Sequence, residues 1–194
     1  MSLDLAAQSL WLALPVIAGG AIHVAGLRMG VLPWLARVPL DGGVSLRGRR
    51  LFGVNKTLRG VVLMTGATMF FAWLQALAAG QAAWARELTV VEFARLHPLA
   101  WGALLGLGYI AGELPNSLVK RQLDIAPGGR AQGRLGWLFW LVDQVDSMAG
   151  VLIFMAVVWV PSLEMVAWLF LITIIVHPLV ALVMFGLGLK TRIG

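Results

Sequence analysis

Residues 135–160 read LGWLFWLVDQVDSMAGVLIFMAVVWV, an apolar stretch whose only charged residues are Asp143 and Asp146. At 1.5 Å per residue it is long enough to cross a hydrocarbon core about 30 Å thick. Four more stretches of the same kind lie at about 5–26, 60–82, 99–118 and 163–187. The pattern predicts an all-α, polytopic integral membrane protein with about five transmembrane helices. Composition agrees: 60% of the residues are apolar, 12% are charged and the mean hydropathy is +0.87. A soluble domain of 194 residues has too little polar surface to cover that much apolar material. The first stretch contains Gln8 and Pro15 and has no basic segment before it, so it reads as a retained span rather than a cleaved leader. Cysteine is absent, which excludes disulfides and thiolate metal sites. There is no internal repeat and no low-complexity linker, so residues 1–194 are expected to form one membrane domain.

The 15 basic and 9 acidic residues leave a net charge of +6. All the basic residues except Arg86 and Arg95 fall in two loops, at about 27–59 and 119–134, or at the C-terminus. The first loop holds Arg28, Arg37, Arg47, Arg49, Arg50, Lys56 and Arg59. The second holds Lys120, Arg121, Arg130 and Arg134, and Lys190 and Arg192 close the chain. With five spans these groups share one side, so the positive-inside rule places the N-terminus outside and the C-terminus in the cytoplasm of a cell membrane. Cations divided among short loops beside hydrophobic segments argue against nucleic-acid binding. The start of the first loop, LRMGVLPWLARVPL (27–40), reads as an interfacial or re-entrant segment. In the third span Gly102, Gly106, Gly108 and Gly112 form two interleaved small-xxx-small pairs, a pattern for close helix packing.

Carboxylates inside a bilayer cost about 2.5–3.5 kcal/mol each even on insertion scales. Glu113 lies 15 residues past Pro98, and Asp146 lies 15 residues before Pro161. If both prolines mark the outer boundary, the two acids share a plane roughly 22 Å inward. Asp143 is one turn nearer the cytoplasm on the same helical face, and Lys120 and Arg121 come at the rim. This describes a cup with acids at its floor and cations at its lip. Like charge and desolvation disfavour three bare anions at one level. A hard divalent cation relieves both, and oxygen ligands without thiolate suit Mg²⁺, which shares phosphate oxygens. The alternative is that these acids merely mark span ends at the headgroup level.

The segment GVNKTLRG (53–60) sets Asn55, Lys56, Thr57 and Arg59 between glycines immediately before the second span. Such a set can cradle phosphate through charge and closely approaching backbone N–H groups. It lacks the Walker A spacing, and it reads equally as a positive-inside anchor at a helix start.

Together LDGG (40–43), GRRLFGVNKTLRG (48–60), GELPNSLVKRQLDIAPG (112–128) and LVDQVD (141–146) resemble the CDP-archaeol synthase family, relatives of the phosphatidate cytidylyltransferases. The resemblance runs from about Leu40 to Gly150. It implies a membrane cytidylyltransferase that uses CTP and a lipid phosphate, phosphatidate-like or of archaeal ether type, to make a CDP-lipid and pyrophosphate. It also implies Mg²⁺ on Asp143 and Asp146 with Glu113 close by. Lys56, Arg59, Lys120 and Arg121 would bind the triphosphate and lipid phosphate, with Asn55, Thr57 and Ser117 orienting them. Lys120, Arg121, Asp143 and Asp146 form the catalytic set in this reading. The chain departs from the family pattern at Glu113, where Asp is usual, at Leu118 and at Gln122.

The rival from another class is a small transporter or ion-pathway protein using the buried acids, which should show paired repeats. A CDP-alcohol phosphotransferase would need DGxxAR followed by spaced aspartates, which the chain lacks. His23, His97 and His177 read as polar helix contacts or interfacial groups rather than ligands. Most of the nine Trp read as interface residues. Asp41 is open between a turn role and ligand binding. A homodimer is left open.

Overall fold

The computed structural model describes residues 3–127, 129 and 133–188. Five long helices carry the chain: α1 (Leu3–Arg28), α2 (Leu58–Gln81), α4 (Pro98–Gln122), α5 (Arg134–Met155) and α6 (Leu163–Gly186). A short α3 (Ala83–Leu88) follows α2. The protein is thus a polytopic, nearly all-helical membrane protein. By length and composition α1, α2, α6 and Gly136–Met155 of α5 can each cross a bilayer. Helix α4 has similar length, but Glu113, Pro115 and Asn116 interrupt its apolar run. Arg130, Lys190 and Arg192, counted above for orientation, lie outside the described residues.

Several boundaries have local causes. His97 accepts a hydrogen bond from Leu99 N (3.3 Å), and Pro98 occupies the first turn of α4, where its missing N–H costs nothing. Lys120 and Arg121 lie in the last turn of α4, where cations offset the exposed carbonyl end. Ser162 caps α6 by accepting from Met165 N (3.2 Å). Helix α5 stops at Met155 rather than near 160, because residues 156–158 turn before an extended approach to Pro161. The segment near 83–98 holds α3, which the hydrophobic pattern did not predict. It is tied to α1 through Trp11 Nε1 donating to Thr89 Oγ1 (2.9 Å) and an edge-on Trp11–Trp84 contact.

The long helices form a ring in the order α1, α2, α4, α5, α6, and α6 returns to α1. The α4–α5 and α2–α4 contacts are the most extensive, and α6 is the least buried helix. The core fills the ring with Leu12, Val16, Met64, Trp101, Leu105, Val151, Met155 and Leu169. Lipid tails are as apolar as side chains, so helices associate by close packing rather than by hydrophobic exclusion. Helix α4 packs through glycine on two faces. A Cβ on Gly102 or Gly106 would lie 2.5 Å from Met69 Cα or 2.6 Å from Thr65 Cα, both on α2. A Cβ on Gly108 or Gly112 would strike α5 backbone at Gly150 and Asp146.

The loop between α1 and α2 is ordered by one buried carboxylate. Residues 35–37 form a short 3₁₀ turn within the segment expected to be interfacial or re-entrant. Strands β1 (Ser45–Leu46) and β2 (Arg49–Arg50) form a hairpin whose turn residues, Arg47 and Gly48, both have positive φ. Asp41 accepts from Gly43 N (3.0 Å), Phe52 N (3.3 Å) and the Arg50 guanidinium. Burial alone would push this carboxyl up. Arg50 and the two amides outweigh burial and hold it at about 2.

Two predictions follow from this packing. Gly112→Ala should force α4 and α5 apart, lowering the thermal midpoint in detergent, whereas Gly66→Ala, with nothing within 4 Å, should leave it unchanged. Equal effects from the two would count against glycine-determined packing. Because the folded pKa of Asp41 lies below its usual value, its stabilisation is complete above about pH 4 and is lost as pH falls towards 2. Wild type should therefore lose stability over that window relative to Asp41→Asn, measured by denaturation at each pH.

Candidate active site

The glycine contact brings two carboxylate-bearing helix faces together. Glu113 and Asn116 of α4 meet Asp143, Asp146 and Ser147 of α5. Asn116 Nδ2 donates to Asp143 Oδ1 (2.6 Å) and to Asp146 Oδ2 (2.7 Å). Lys120 forms an ion pair with Asp143, and its ammonium lies 5.6 Å from the Phe139 ring centroid. Ser147 Oγ lies 3.1 Å from Asp146 Oδ1 and 3.3 Å from Glu113 Oε1. The other oxygen of Glu113 pairs with Lys56, which reaches in from the loop before α2. Tyr109, one turn along α4 from Glu113, lines the same cavity as Ser147. One serine thus joins Glu113 to Asp146, although the helical count from Pro161 does not hold, because α5 ends at Met155.

The remaining predicted residues are distributed around this cluster. Arg59 is half-buried in the first turn of α2, and its Nε has no hydrogen-bond partner. Arg121 packs against Gly53 and Pro127, donates to Ala126 O (3.2 Å) and keeps Nε and one terminal nitrogen buried and unpartnered. Thr57 is buried where the chain bridges back to Pro39. Asn55 is exposed and Ser117 is half-buried, and neither has a hydrogen bond to the acidic cluster.

Three participants escaped the sequence reading. Asn116 holds the two aspartates apart, yet an amide in an apolar helix carries no spacing signature. Ser147 and Tyr109 are inconspicuous for the same reason. His23 makes the polar helix contact that the sequence suggests. Its ring lies over Gly60, where a Cβ would come within 3.2 Å of Nε2, and it feels the charges of Glu113, Lys56 and Arg59.

Two membrane-level openings flank the acids. A cavity of about 100 Å³ lies among α1, α4, α5 and α6, with Tyr109, Gln144, Ser147, Thr173 and His177 in an otherwise apolar wall. A larger, more open groove of about 510 Å³ between α4 and α5 is lined by Asn116, Asp146, Phe139, Ile153 and Phe154. Among the described residues, no three carboxylate or imidazole groups converge as a complete metal cage. The donor set still fits a hard cation. Asp143 and Asp146 offer oxygens side by side, and Asn116 Oδ1 is buried without a hydrogen-bond partner next to them. Such an ion keeps waters and shares phosphate oxygens, so a complete protein cage is not required.

The family model described as CarS-like, CDP-archaeol synthase, matches residues 2–193. The chain belongs to the CDP-archaeol synthase family. A CDP-archaeol synthase of Thermofilum pendens is 31% identical over 96% of this chain and 80% of its own length. One from Methanosphaerula palustris is 29% identical over 78% and 87%. A solved chain described as an intramembrane enzyme for archaeal membrane lipid biosynthesis superposes with a TM-score of 0.60 at 25% identity, covering 90% of this chain and 92% of that one. The protein is accordingly a membrane cytidylyltransferase that uses CTP to activate a lipid phosphate. The comparisons lend no support to the transporter alternative.

Asn116→Ala would leave Asp143 and Asp146 facing each other without their shared donor. Turnover should fall at least about tenfold, as it does when an outer partner of a metal-binding carboxylate is lost. Labelled-CTP assays on the purified variant check this, and wild-type turnover would remove Asn116 from the site.

Proposed function

We propose that the protein transfers CMP from CTP to the phosphate of an archaeal-type ether lipid, on the cytoplasmic side of the cell membrane, with Mg²⁺ held by Asp143 and Asp146. The supporting observation is the meeting of Asn116 and Lys120 of α4 with Asp143 and Asp146 of α5 at one point between the two helices. The names of the relatives support the ether lipid, and the placing of basic residues supports the cytoplasmic orientation.

In the proposed reaction an oxygen of the lipid phosphate attacks the α-phosphorus of CTP. The bond to the bridging oxygen of the β-phosphate breaks, and pyrophosphate leaves with the electron pair. A phosphomonoester is already ionised at neutral pH, so no general base is needed. The chemistry demands positioning and charge neutralisation more than covalent participation by the protein. Bound Mg²⁺ would supply neutralisation of charge on the phosphates.

The side chains divide the remaining work. Lys120 neutralises Asp143 and stands at the lip, where its ammonium can pass to a phosphate oxygen. Lys56 does the same from the opposite wall, opposite Glu113. The unpartnered N–H groups of Arg59 and Arg121 suit the triphosphate. Asn55, Thr57 and Ser117 orient the phosphates in this reading. Glu113 acts through Lys56 and Ser147, and a place for it beside the metal belongs to the same proposal. The groove between α4 and α5 suits the lipid, with Asn116 and Asp146 near the phosphate and its apolar wall along the chains.

Purified protein should release pyrophosphate from CTP with an isoprenoid ether lipid phosphate in preference to diacyl or polyprenyl phosphates, and a chelator should stop it. Asp143→Asn and Asp146→Asn should each reduce turnover by about a hundredfold or more while the thermal midpoint stays within a few degrees. Failure to release pyrophosphate with any lipid phosphate would reject the activity. Near-native rates in both variants would reject the metal assignment alone.

A further inference from the structure

Asp41 lies outside the acidic cluster, and its side chain has no exposed surface. A carboxylate so buried must have its lone pairs used, and here three donors use them: two backbone amides and Arg50. Those donors span residues 43–52, so one side chain ties the whole hairpin to the segment before it. The neighbouring backbone makes the connection to the site. Leu40 N donates to Lys56 O (2.9 Å), and Leu58 N donates to Val38 O (2.9 Å). Lys56 thus hangs from the strand-like pairing that Asp41 braces, and from there it reaches Glu113.

The hairpin has a second attachment. Neighbouring residues on a strand point to opposite sides, so while Arg50 turns in to Asp41, Arg49 turns out. Arg49 donates to Gln122 O and pairs with Asp124, immediately beyond Lys120 and Arg121. Residues 41–52 therefore link the cations before α2 to the cations at the end of α4.

We infer that Asp41 is a positioning residue for the transfer reaction, fixing Lys56 against Glu113 and setting its distance from the Lys120–Arg121 end of α4 through the Arg49–Arg50 hairpin. It does not touch the acids or the cavities. The inference rests on the proposed reading of Lys56 as a phosphate-binding group.

The test is a double-mutant cycle in the intact protein with Asp41→Asn, Lys56→Ala and the pair, measuring KM for CTP, KM for the lipid phosphate and kcat. Asparagine keeps the shape but turns one acceptor into a donor that faces Arg50 or an amide. Asp41→Asn should raise KM for CTP about tenfold, with kcat within about threefold and KM for the lipid phosphate unchanged. Lys56→Ala should raise KM for CTP as well, and the pair should be no worse than Lys56→Ala alone. A purely structural Asp41 would lower the active fraction, and hence apparent kcat, without moving KM. That result overturns the inference, as do fully additive effects. If Lys56→Ala leaves KM for CTP unchanged, the reading of Lys56 falls and the positioning role falls with it. If Lys56→Ala raises KM and Asp41→Asn does not, the positioning role alone is refuted. Should Asp41→Asn not fold, Arg50→Gln removes the other half of the buried pair and is read in the same way.

Discussion

The architecture depends on backbone meeting backbone where α4 crosses α5. Gly108 and Gly112 on one helix face Gly150 on the other with no side chain between them. In a bilayer this closeness is the main source of association, because nothing is gained by hiding apolar surface from lipid. It also sets the reach of the polar groups. Asn116 and Lys120 are short of the aspartates unless the helices nearly touch, so one packing contact supplies both stability and chemistry. The glycines on the other face of α4 hold it against α2, whose first turn follows Lys56 directly.

Within that frame charge is balanced locally. Lys120 answers Asp143, Lys56 answers Glu113, and Asn116 and Ser147 share out hydrogen bonds to Asp146. Each carboxylate enters the low-dielectric region with a partner, which is the condition under which buried ions are tolerated. Each cation is also long and flexible enough to change partners. A site that must receive a triphosphate and release pyrophosphate gains from cations with two places to go.

Much of this was legible in the chain because the bilayer imposes a ruler. Spans of about twenty apolar residues are hard to hide, and Glu113 and Asp146 fall well inside two of them, although the count from Pro161 fails because α5 ends at Met155. The ruler measures depth and nothing lateral. It could not say that Asn116 rather than Ser117 faces the aspartates, or that Arg121 turns away towards Gly53 while Lys120 turns in. It missed α3, since a six-residue helix has no periodicity to detect. It also left Asp41 undecided, because an aspartate before two glycines looks the same whether it shapes a turn or binds a ligand. Only the three donors around its carboxylate separate those readings.

The ring order has a consequence for how the molecule is made. Every charged member of the cluster lies between Lys56 and Asp146, and the helices that carry it, α2, α4 and α5, are consecutive long segments. Once α5 has left the ribosome, the polar centre can close as a local bundle with short connections. Helix α6 follows, packs back on α1 and closes the cavity among α1, α4, α5 and α6 from the side. Assembly of the polar cluster and closure of that cavity are thereby separable, so a chain cut after Met155 would be expected to retain the polar constellation and lose the wall that α6 supplies.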